Sequence, residues 1–521
     1  MSENTDSDGA TEGTSVDPRS LRITESEGVT GEDSAVQLTR DRAGHPWRDR
    51  RREVLSRIVR ETEAPTDSLP RITASVSQDL DAEYLERVGE ILDVAGNIGA
   101  ILMGSGMPTT ATMDQVTGII NAFGIERCQV DVISTTIHVA AYRGPTSPAA
   151  TTLHTVQSRS IDFSRLAAVD RLIARIRANE VSPWQARDEL DAIIIAPHPY
   201  KRWIATLAWG ALAFATAGTL GASLLACLVS ALSTMTIYLV NRQLNRHGLP
   251  LFFQYAIGGA IATAPPLALY WLGPKIGLSF EPTVAIAAGL VVLLAGLSLV
   301  SSVGDVITGA PVTAAGRFFE LLMMTAATIA GVALVLHLAN NFGAPFVALG
   351  PGAPPALAEL PARVAFGAAS AAAYALACYA ERTAAIAAAF GGAAGTIAFL
   401  LAQGLGLGAV IASFVAAVPI GLVGRLMERR NLAPPMVVAI AGIVPLLPGL
   451  ALLHGIYAIL NDQHAVGFAS VLGALAIGTA LAAGVTLGEW SSWRVRRRRL
   501  LVRRRVRGRR LPPDAPLSTA D

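Results

Sequence analysis

The sequence is poor in cysteine and in charge, and each scarcity excludes a class of protein. The three cysteines, Cys128, Cys227 and Cys378, are scattered and odd in number, so the sequence predicts no disulfide framework, no thiolate metal site and no cofactor. Charged residues make up 16% of the chain, and between Trp203 and Glu489 there are only nine Lys/Arg and eight Asp/Glu. A soluble fold is therefore excluded for that region, and no nucleic-acid partner is expected.

The beginning of the chain lacks apolar segments. MSENTDSDGATEGTSVD has neither the basic nor the apolar region of a cleavable signal peptide, so none is predicted. Residues 1–75 are rich in Ser, Thr, Gly, Asp and Glu with almost no aliphatic clusters, and we expect them to be disordered. Within them, the basic stretch from Arg40 to Arg60 could contact anionic headgroups or stay solvated without a partner.

Long apolar runs are abundant after Trp203. The chain is 52% hydrophobic with a mean hydropathy of +0.45, and about 20 apolar residues suffice to cross a bilayer as a helix. The sequence therefore predicts a mostly α, polytopic membrane protein with ten transmembrane helices. The ten runs are 204–221, 222–240, 252–272, 283–301, 318–338, 362–380, 383–401, 405–424, 434–460 and 466–488.

The run 434–460 is interrupted in its middle by Pro445-Leu-Leu-Pro448-Gly449. Each proline removes a backbone donor and crowds the carbonyl four residues earlier, which leaves polar groups that lipid cannot satisfy. Such a break persists at membrane depth only where protein or a wet cavity surrounds it, as in the broken helices of transporters. A kink that only shapes packing is the alternative.

Residues 79–200 are predicted to form a small α/β domain. Helical spacing of apolar residues covers 81–103 and 109–124, and alternating β-branched residues predict strands in CQVDVISTTIHVAAY and TTLHTVQSR. Two further helices, FSRLAAVDRLIARIRANE and SPWQARDELDAIII, complete the domain.

The charges between the apolar runs predict the orientation. Alternate loops carry Arg242 and Arg246, then Arg317, Arg382 and Arg425, whereas the opposite loops carry only Lys275 and Arg363. By the positive-inside rule both termini are cytoplasmic, and the protein is a multi-pass protein of the plasma (inner) membrane. The tail 490–521, with 11 arginines from Arg494 to Arg510, is expected to contact anionic lipid headgroups.

The membrane region shows signs of an internal repeat. Residues 292–309 resemble 438–455 at an offset of 146, and each of the runs 252–272 and 405–424 has proline near its middle. Two halves of five helices, 203–340 and 362–489, have odd helix counts, so they must insert in opposite orientations. Inverted repeats of this kind occur in many secondary transporters, with the substrate site where the halves meet.

This layout resembles the bacterial threonine/serine exporter family. The resemblance covers about residues 80–490 and includes GSGMPTTATMDQVTGIINAFGIE and FSRLAAVDRLIARIRANEVSPWQARDEL. Relatives usually carry Arg-Val-Glu in the first of these stretches, where this chain has Met113-Asp-Gln-Val116. The resemblance implies export of threonine, serine or similar small polar metabolites driven by the proton motive force. Similar proteins of the wider family are linked to dicarboxylate export, which stays an alternative substrate class.

An exporter of this kind needs a carboxylate for proton coupling and polar groups for its substrate. Buried carboxylates have pKa values that respond to hydration, and Asp305 is the first candidate and Glu320 the second, because both lie beside apolar runs and a Gly/Pro-rich segment. For the substrate, the broken helix is predicted to offer backbone carbonyls, with serines completing the lining. The predicted substrate-binding residues are Ser301, Ser302, Pro445, Pro448 and Gly449.

Two other functions are compatible with the sequence. A membrane-anchored hydrolase could use His138, His154, Asp131, Asp162 and Asp170 in residues 79–200, but no Gly-x-Ser-x-Gly, His-Glu-x-x-His or P-loop pattern accompanies them. The prediction is therefore a carrier and not an enzyme. A channel or regulated scaffold, with the α/β domain as a partner module, is the second alternative. The sequence is compatible with a homo-oligomer.

Overall fold

The structure is a computed structural model that describes residues 74–508 apart from short gaps. The predictions for residues 1–73, with the basic stretch from Arg40 to Arg60, and for Gly449 lie outside the described residues. Ala74, within the segment predicted to be disordered, is the first residue of a helix. The gaps are 143–148, 157–160, 278–279, 281, 291–292, 294–295, 343–359, 431, 449–450, 452–454, 456–457 and 460–461.

The N-terminal α/β domain combines four helices with a three-stranded antiparallel sheet of order β1-β2-β3. Its strands pair with the register Val130↔Val139 and Val139↔Thr152. The elements are α1 (Ala74–Gly104), α2 (Thr109–Ala122), β1 (Cys128–Ile133), β2 (Thr136–Ala141), β3 (Ala150–Thr155), α3 (Phe163–Arg177) and α4 (Pro183–Ile195). The predicted helices and strands of this domain are therefore confirmed.

The helices of the domain begin and end where local chemistry predicts. Gly124 follows α2 with φ +89°, a conformation that glycine adopts without a Cβ clash. Pro183 is the first residue of α4, and the Gln185 side chain accepts a hydrogen bond from the Ser182 amide at 3.0 Å. Leu85, one of the apolar residues whose spacing predicts α1, is 46% exposed and lies outside the buried core.

The remaining chain forms two helical bundles, which we call the N-terminal bundle (α5–α10) and the C-terminal bundle (α11–α15). The N-terminal bundle contains α5 (Arg202–Thr219), α6 (Leu224–Arg246), α7 (Leu251–Leu272), α8 (Pro282–Leu290), α9 (Gly296–Thr308) and α10 (Pro311–Asn341). The C-terminal bundle contains α11 (Leu360–Ala377), α12 (Arg382–Gly404), α13 (Ala409–Arg429), α14 (Pro435–Ile443) and α15 (His464–Gly508). The arginine-rich tail thus continues α15.

Seven of the described helices, α6, α7, α10, α11, α12, α13 and α15, are long and apolar enough to cross a membrane. The protein is therefore a multi-pass membrane protein. The other three predicted runs correspond to α5, which includes Arg202 and two tryptophans, and to two pairs of shorter segments. The expectation of one continuous helix over 283–301 is wrong, because α8 ends at Leu290 and α9 begins at Gly296. Gly289 and Gly296 flank this interruption, and glycine in a helix costs about 1 kcal/mol relative to alanine.

The predicted break in the run 434–460 is confirmed. Helix α14 ends at Ile443, a short 3-10 turn covers Val444–Leu446, and Leu447 is extended with φ −62° and ψ 139°. Pro445 lies within that turn. Proline cannot donate the helical hydrogen bond. The α-helix therefore ends at Ile443, and the chain continues directly into the tighter 3-10 turn at Val444.

Helix packing follows the same pattern in the two bundles. In the N-terminal bundle α5 packs on α6, α6 on α7, α7 on α10, and α8 on α5, α6 and α7. In the C-terminal bundle α11 packs on α12, α12 on α13, α13 on α15, and α14 on α11, α12 and α13. Helices α5 and α11, which correspond in this pattern, pack on each other.

This similarity in packing favours a different repeat offset. An offset of 146 pairs Gly296, the first residue of α9, with Gly442 near the end of α14. An offset of 153 instead pairs α8 with α14, two nine-residue helices with the sequences PTVAIAAGL and PMVVAIAGI. Alanine and glycine are so common in these helices that a few identical residues also support the offset of 146.

Candidate functional site

A cavity of about 1480 Å³ lies between the two bundles. It exceeds the roughly 300–1,000 Å³ of most small-molecule pockets, so it has room for a small ligand together with water. The N-terminal bundle contributes Thr216, Thr219, Leu220 and Ala287 to its lining, and the C-terminal bundle contributes the rest. The polar residues from the C-terminal bundle are Arg363, Thr396, Gln403 and Ser413.

The broken helix forms part of this cavity wall. Pro445 and Pro448, two predicted substrate-binding residues, both line it, together with Leu446 and Leu447 between them. The 3-10 turn and the extended Leu447 therefore face a cavity, which is the environment that irregular backbone needs at membrane depth.

Three buried hydroxyls in the cavity wall are oriented by their own helices. Thr216, Thr396 and Ser413 each donate a hydrogen bond to the carbonyl oxygen four residues earlier, at 2.7 to 2.8 Å. A hydroxyl has one proton, so these oxygens have only lone pairs left for a further partner, and Thr216 Oγ1 already lies 3.1 Å from Ser370 Oγ. They are suited to accept hydrogen bonds from an ammonium or hydroxyl group.

Among the described residues that line the cavity, Arg363 is the only charged one. It lies in the first turn of α11, and its Nη2 is 2.9 Å from where a Cβ on Gly221 would be. Gly221, in the turn between α5 and α6, has φ +81°. A guanidinium in this position can form a paired hydrogen bond with a carboxylate.

Asp305 and Arg317 form a second, separate polar site. Asp305 on α9 is fully buried, and its Oδ2 lies 2.7 Å from Nη1 of Arg317 on α10, which is 5% exposed. Asp305 Oδ1 accepts a hydrogen bond from the backbone amide of Thr109 at 2.7 Å. Thr109 is the first residue of α2, so a carboxylate of the N-terminal bundle caps a helix of the α/β domain. The residue before α2, Pro108, has no side-chain capping bond.

The other sequence-predicted site residues are near Asp305 along the chain. Ser302 Oγ donates to the carbonyl of Ala314 at 2.9 Å and so ties α9 to α10. Ser301 and Glu320 are partly buried on α9 and α10. None of these, nor Asp305, is among the described residues that line the cavity. The structure therefore brings Pro445 and Pro448 to the cavity and places Asp305 against the α/β domain, while Ser302 bonds to α10.

The residues considered for a hydrolase have structural partners. Asp162 caps α3 through the amides of Ser164 and Arg165, and its Oδ2 lies 3.0 Å from Nδ1 of His198. Asp131 and His138 are cross-strand neighbours. His154 packs on Gly96 and lies 3.6 Å from Asp93. Among the described residues, no group of three or more His, Cys, Asp or Glu side chains could hold a metal ion.

Sequence reasoning missed most of the polar cavity wall and the partners of Asp305. Thr216, Thr396 and Ser413 stand out in the sequence only as hydroxyls within apolar runs, a weak signal that many packed membrane helices share. Arg363 was recognised as a loop charge and not as a cavity residue. Thr109 had no signal, because its contribution is a backbone amide.

Comparisons with known proteins agree with this architecture. A family model described as "Putative threonine/serine exporter" matches residues 93–339, and another described as "Threonine/Serine exporter, ThrE" matches residues 363–490. The chain is 40% identical over 419 residues to a "Threonine/serine exporter" of Corynebacterium glutamicum, covering 80% of this chain and 86% of that protein. It is 35% identical over 416 residues to a "Probable threonine/serine exporter" of Mycobacterium tuberculosis, covering 77% and 76%.

No solved structure matches this chain. The first family model ends before residues 340–362 and the second begins after them. This segment lies where the N-terminal bundle gives way to the C-terminal bundle. The matches together span the α/β domain and both bundles. This chain belongs to the threonine/serine exporter family.

Proposed function

We propose that this protein is a secondary active carrier that exports threonine, serine or a similar small polar metabolite, driven by the proton gradient. The observation that carries the proposal is the cavity between the bundles, bounded by the broken helix at Pro445 and Pro448. Its arginine and its hydroxyl acceptors match the carboxylate of an amino acid and its ammonium and hydroxyl groups. Family membership supports the same substrate class.

The transport mechanism is alternating access between two inverted five-helix halves. The support is the matched packing of the bundles and the similarity of α8 and α14 at an offset of 153. In this arrangement α8 with α9, and α14 with the segment after Pro448, are the broken helices of the two halves. A carrier of this type moves one half against the other around a central site.

Asp305 is the proposed proton-coupling residue, with Glu320 as the second candidate. Asp305 is fully buried between Arg317 and the α/β domain, so it can exchange a proton with water only after the structure around it opens. Proton exchange is thereby tied to the conformational cycle. Asp305→Asn should leave a folded protein that exchanges substrate but no longer couples to protons, and unchanged uphill transport would remove Asp305 from this role.

The orientation follows from the loop charges, with both termini, the α/β domain and the arginine-rich end of α15 in the cytoplasm. The cavity residues Arg363 and Gln403 then lie toward the outer face of the plasma membrane. The arginines from Arg494 to Arg510 would contact anionic lipid headgroups at the inner face. A cysteine-labelling experiment from each side of the membrane tests this orientation.

Uptake into inside-out vesicles tests the function. With an acidified lumen, vesicles containing the protein should accumulate labelled threonine, and a protonophore should abolish the accumulation. Dicarboxylates and hydroxy amino acids, added as unlabelled competitors, define the substrate class. Strong competition by a dicarboxylate and none by serine would assign the carrier to the alternative substrate. Absence of gradient-dependent uptake of either class would contradict the proposal.

A further inference from the structure

We propose that the α/β domain is the cytoplasmic gate of this carrier, and that Asp305 and Arg317 are the positioning residues that hold the gate closed against the N-terminal bundle. The proposal rests on the proposed function for what passes the gate. It concerns residues that lie outside the substrate cavity. The steps below argue the closed state, its place on the pathway and the direction of its opening.

The closed state is held by polar contacts with α9 and α10. Asp305 Oδ2 lies 2.7 Å from Nη1 of Arg317, and Asp305 Oδ1 accepts a hydrogen bond from the Thr109 amide at 2.7 Å. Free amides at a helix N-terminus favour a negative charge, so α2 stabilises the carboxylate from the side of the domain. Thr313 on α10 adds a second contact, because its hydroxyl accepts from the Ser134 amide at 3.2 Å and donates to the Val132 carbonyl at 3.4 Å.

The loop before α2 covers the cytoplasmic end of the broken helix α14. Gly106, with φ +94°, lies so that a Cβ there would be 3.6 Å from Cε of Met436 and 3.9 Å from Cδ1 of Ile440. Met436 and Pro445 are nine residues apart, which corresponds to about 14 Å of helix. The domain therefore closes one end of α14 while the cavity lies at the other end.

The domain is joined to the C-terminal bundle by a continuous apolar core. Buried residues of α1, α2 and α3 form one cluster with buried residues of α11, α12 and α14, and with Leu212 as the one buried member from the N-terminal bundle among the described residues. The Phe163 amide also donates to the Cys378 carbonyl at 2.9 Å, and the Phe163 and Tyr374 rings meet edge to face with centroids 6.2 Å apart. The members of this cluster from the C-terminal bundle include Tyr374, Cys378, Val437, Val438, Ala441 and Val444.

These two interfaces assign a direction to the opening. The ionisable contacts of the apolar interface, the Arg171–Glu381 ion pair and the stacking of His198 on Tyr379, lie at its rim, and the ion pair is screened by water. The buried centre of the interface is apolar, so the domain stays with the C-terminal bundle. The contacts with α9 and α10 are few and polar, and water can replace them. When the bundles rock apart, Thr109 leaves Asp305, the pathway opens to the cytoplasm and Asp305 meets water.

Labelling of a buried position measures the opening directly. Ser105, in the loop between α1 and α2 that we call the gate loop, is 3% exposed. Ser105→Cys should therefore react slowly with a membrane-impermeant maleimide added to inside-out vesicles. Cys128 is replaced by serine, and the other two cysteines stay because Cys227 and Cys378 are both buried. Adding Asp305→Ala should speed labelling about tenfold, equal to about 1.4 kcal/mol. An unchanged rate would overturn the proposal.

A reversible cross-link tests whether the gate must open for transport. A Cβ on Gly316 would lie 3.9 Å from Oγ of Ser134, so cysteine side chains at these two positions would be close enough to cross-link after a small adjustment. Oxidation of Ser134→Cys/Gly316→Cys should abolish threonine uptake into the vesicles, and dithiothreitol should restore it. Each single cysteine variant is the control. If the completely cross-linked variant took up threonine as fast as the same variant after dithiothreitol treatment, the proposal would be overturned.

The two experiments separate failure of the gate from failure of the proposed function. If the reduced double-cysteine variant and the unmodified protein both fail to take up threonine, the proposed substrate is wrong. Labelling of Ser105→Cys needs no substrate, so it then decides the gate by itself. A faster rate with Asp305→Ala supports it and an equal rate rejects it.

Discussion

The α/β domain meets the two membrane bundles through interfaces of opposite chemistry. Toward the N-terminal bundle it places a helix N-terminus on the buried Asp305–Arg317 pair. Toward the C-terminal bundle its apolar core continues into α11 and α14. Burial of apolar surface gives a stable, non-directional interface. Removing one partner of a buried ion pair, in contrast, strongly destabilises the protein because the other charge is left buried and unpaired. The first kind suits a permanent attachment and the second a contact that opens and closes.

The difference is sharpened by the symmetry of the bundles. Helices α8 and α14 are alike in sequence and packing, and Gly106 of the domain lies beside Met436 and Ile440 on α14. In the N-terminal bundle the domain contacts α9 and α10 instead. The domain therefore contacts the two bundles at helices that do not correspond, and each prediction below tests one side of that asymmetry.

The largest effect is expected from removing one partner of the buried pair. Arg317→Met leaves Asp305 uncompensated in a buried site, which costs about 3–5 kcal/mol. Denaturant unfolding of the purified protein in detergent measures the loss. Combining Arg317→Met with Asp305→Leu should recover much of it, because no unpaired charge remains. A double variant that loses the sum of the two single effects would show that the residues do not interact.

A smaller effect is expected at the apolar interface. Val437 on α14 is fully buried in the core shared with the domain, and Val437→Ala removes two methyl groups, which costs about 2 kcal/mol. The same variant should leave the labelling rate of Ser105→Cys unchanged, because this side of the domain does not open. Val284→Ala on α8, which pairs with Val437 at the offset of 153 but is only partly buried, is the control. If Val437→Ala labelled faster and Val284→Ala did not, the domain would open at its interface with the C-terminal bundle, contrary to the proposal.

Most of the fold was predictable from the sequence, and most of the gate was not. Apolar runs, the Pro445–Pro448 break and the elements of the α/β domain depend on neighbours in the chain, and local pattern predicts them. Asp305 and Thr109 are 196 residues apart, and one of the two groups is a backbone amide. The absent cap before α2, where Pro108 precedes Thr109, was the only local sign that another element supplies a partner.

The cavity residues escaped prediction for a related reason. A hydroxyl that donates to its own helix, such as that of Thr396, has the same sequence signature whether it faces lipid, another helix or a cavity. Proline in a membrane helix is rarer and was informative, since both Pro445 and Pro448 reach the cavity wall. The position of Arg363 depends on how the turn at Gly221 packs, which sequence alone does not show.

An effect of intermediate size on the gate, without an effect on charge, is expected at Thr313. Thr313→Val keeps the shape of the side chain but loses the hydrogen bonds with the Ser134 amide and the Val132 carbonyl, at a cost of about 1 kcal/mol. Labelling of Ser105→Cys should therefore become about fivefold faster. Thr308→Val, whose hydroxyl bonds only within α9, is the control. If Ser105→Cys were labelled at equal rates in the two variants, the contact between Thr313 and the β1–β2 turn would not help to hold the gate closed.

The smallest effect is expected at the ion pair between Arg171 and Glu381, on the side of the C-terminal bundle. Arg171 Nη1 lies 2.9 Å from Glu381 Oε1, about as close as the Asp305–Arg317 pair, but the side chains are 61% and 41% exposed. Water and salt screen such a pair, so Arg171→Ala should lower stability by at most about 1 kcal/mol. Labelling of Ser105→Cys should not change, because this pair lies at the interface that stays closed. If Arg171→Ala opened the gate as far as Asp305→Ala does, burial would not be what separates the two interfaces, and the domain would be held by charge on both sides.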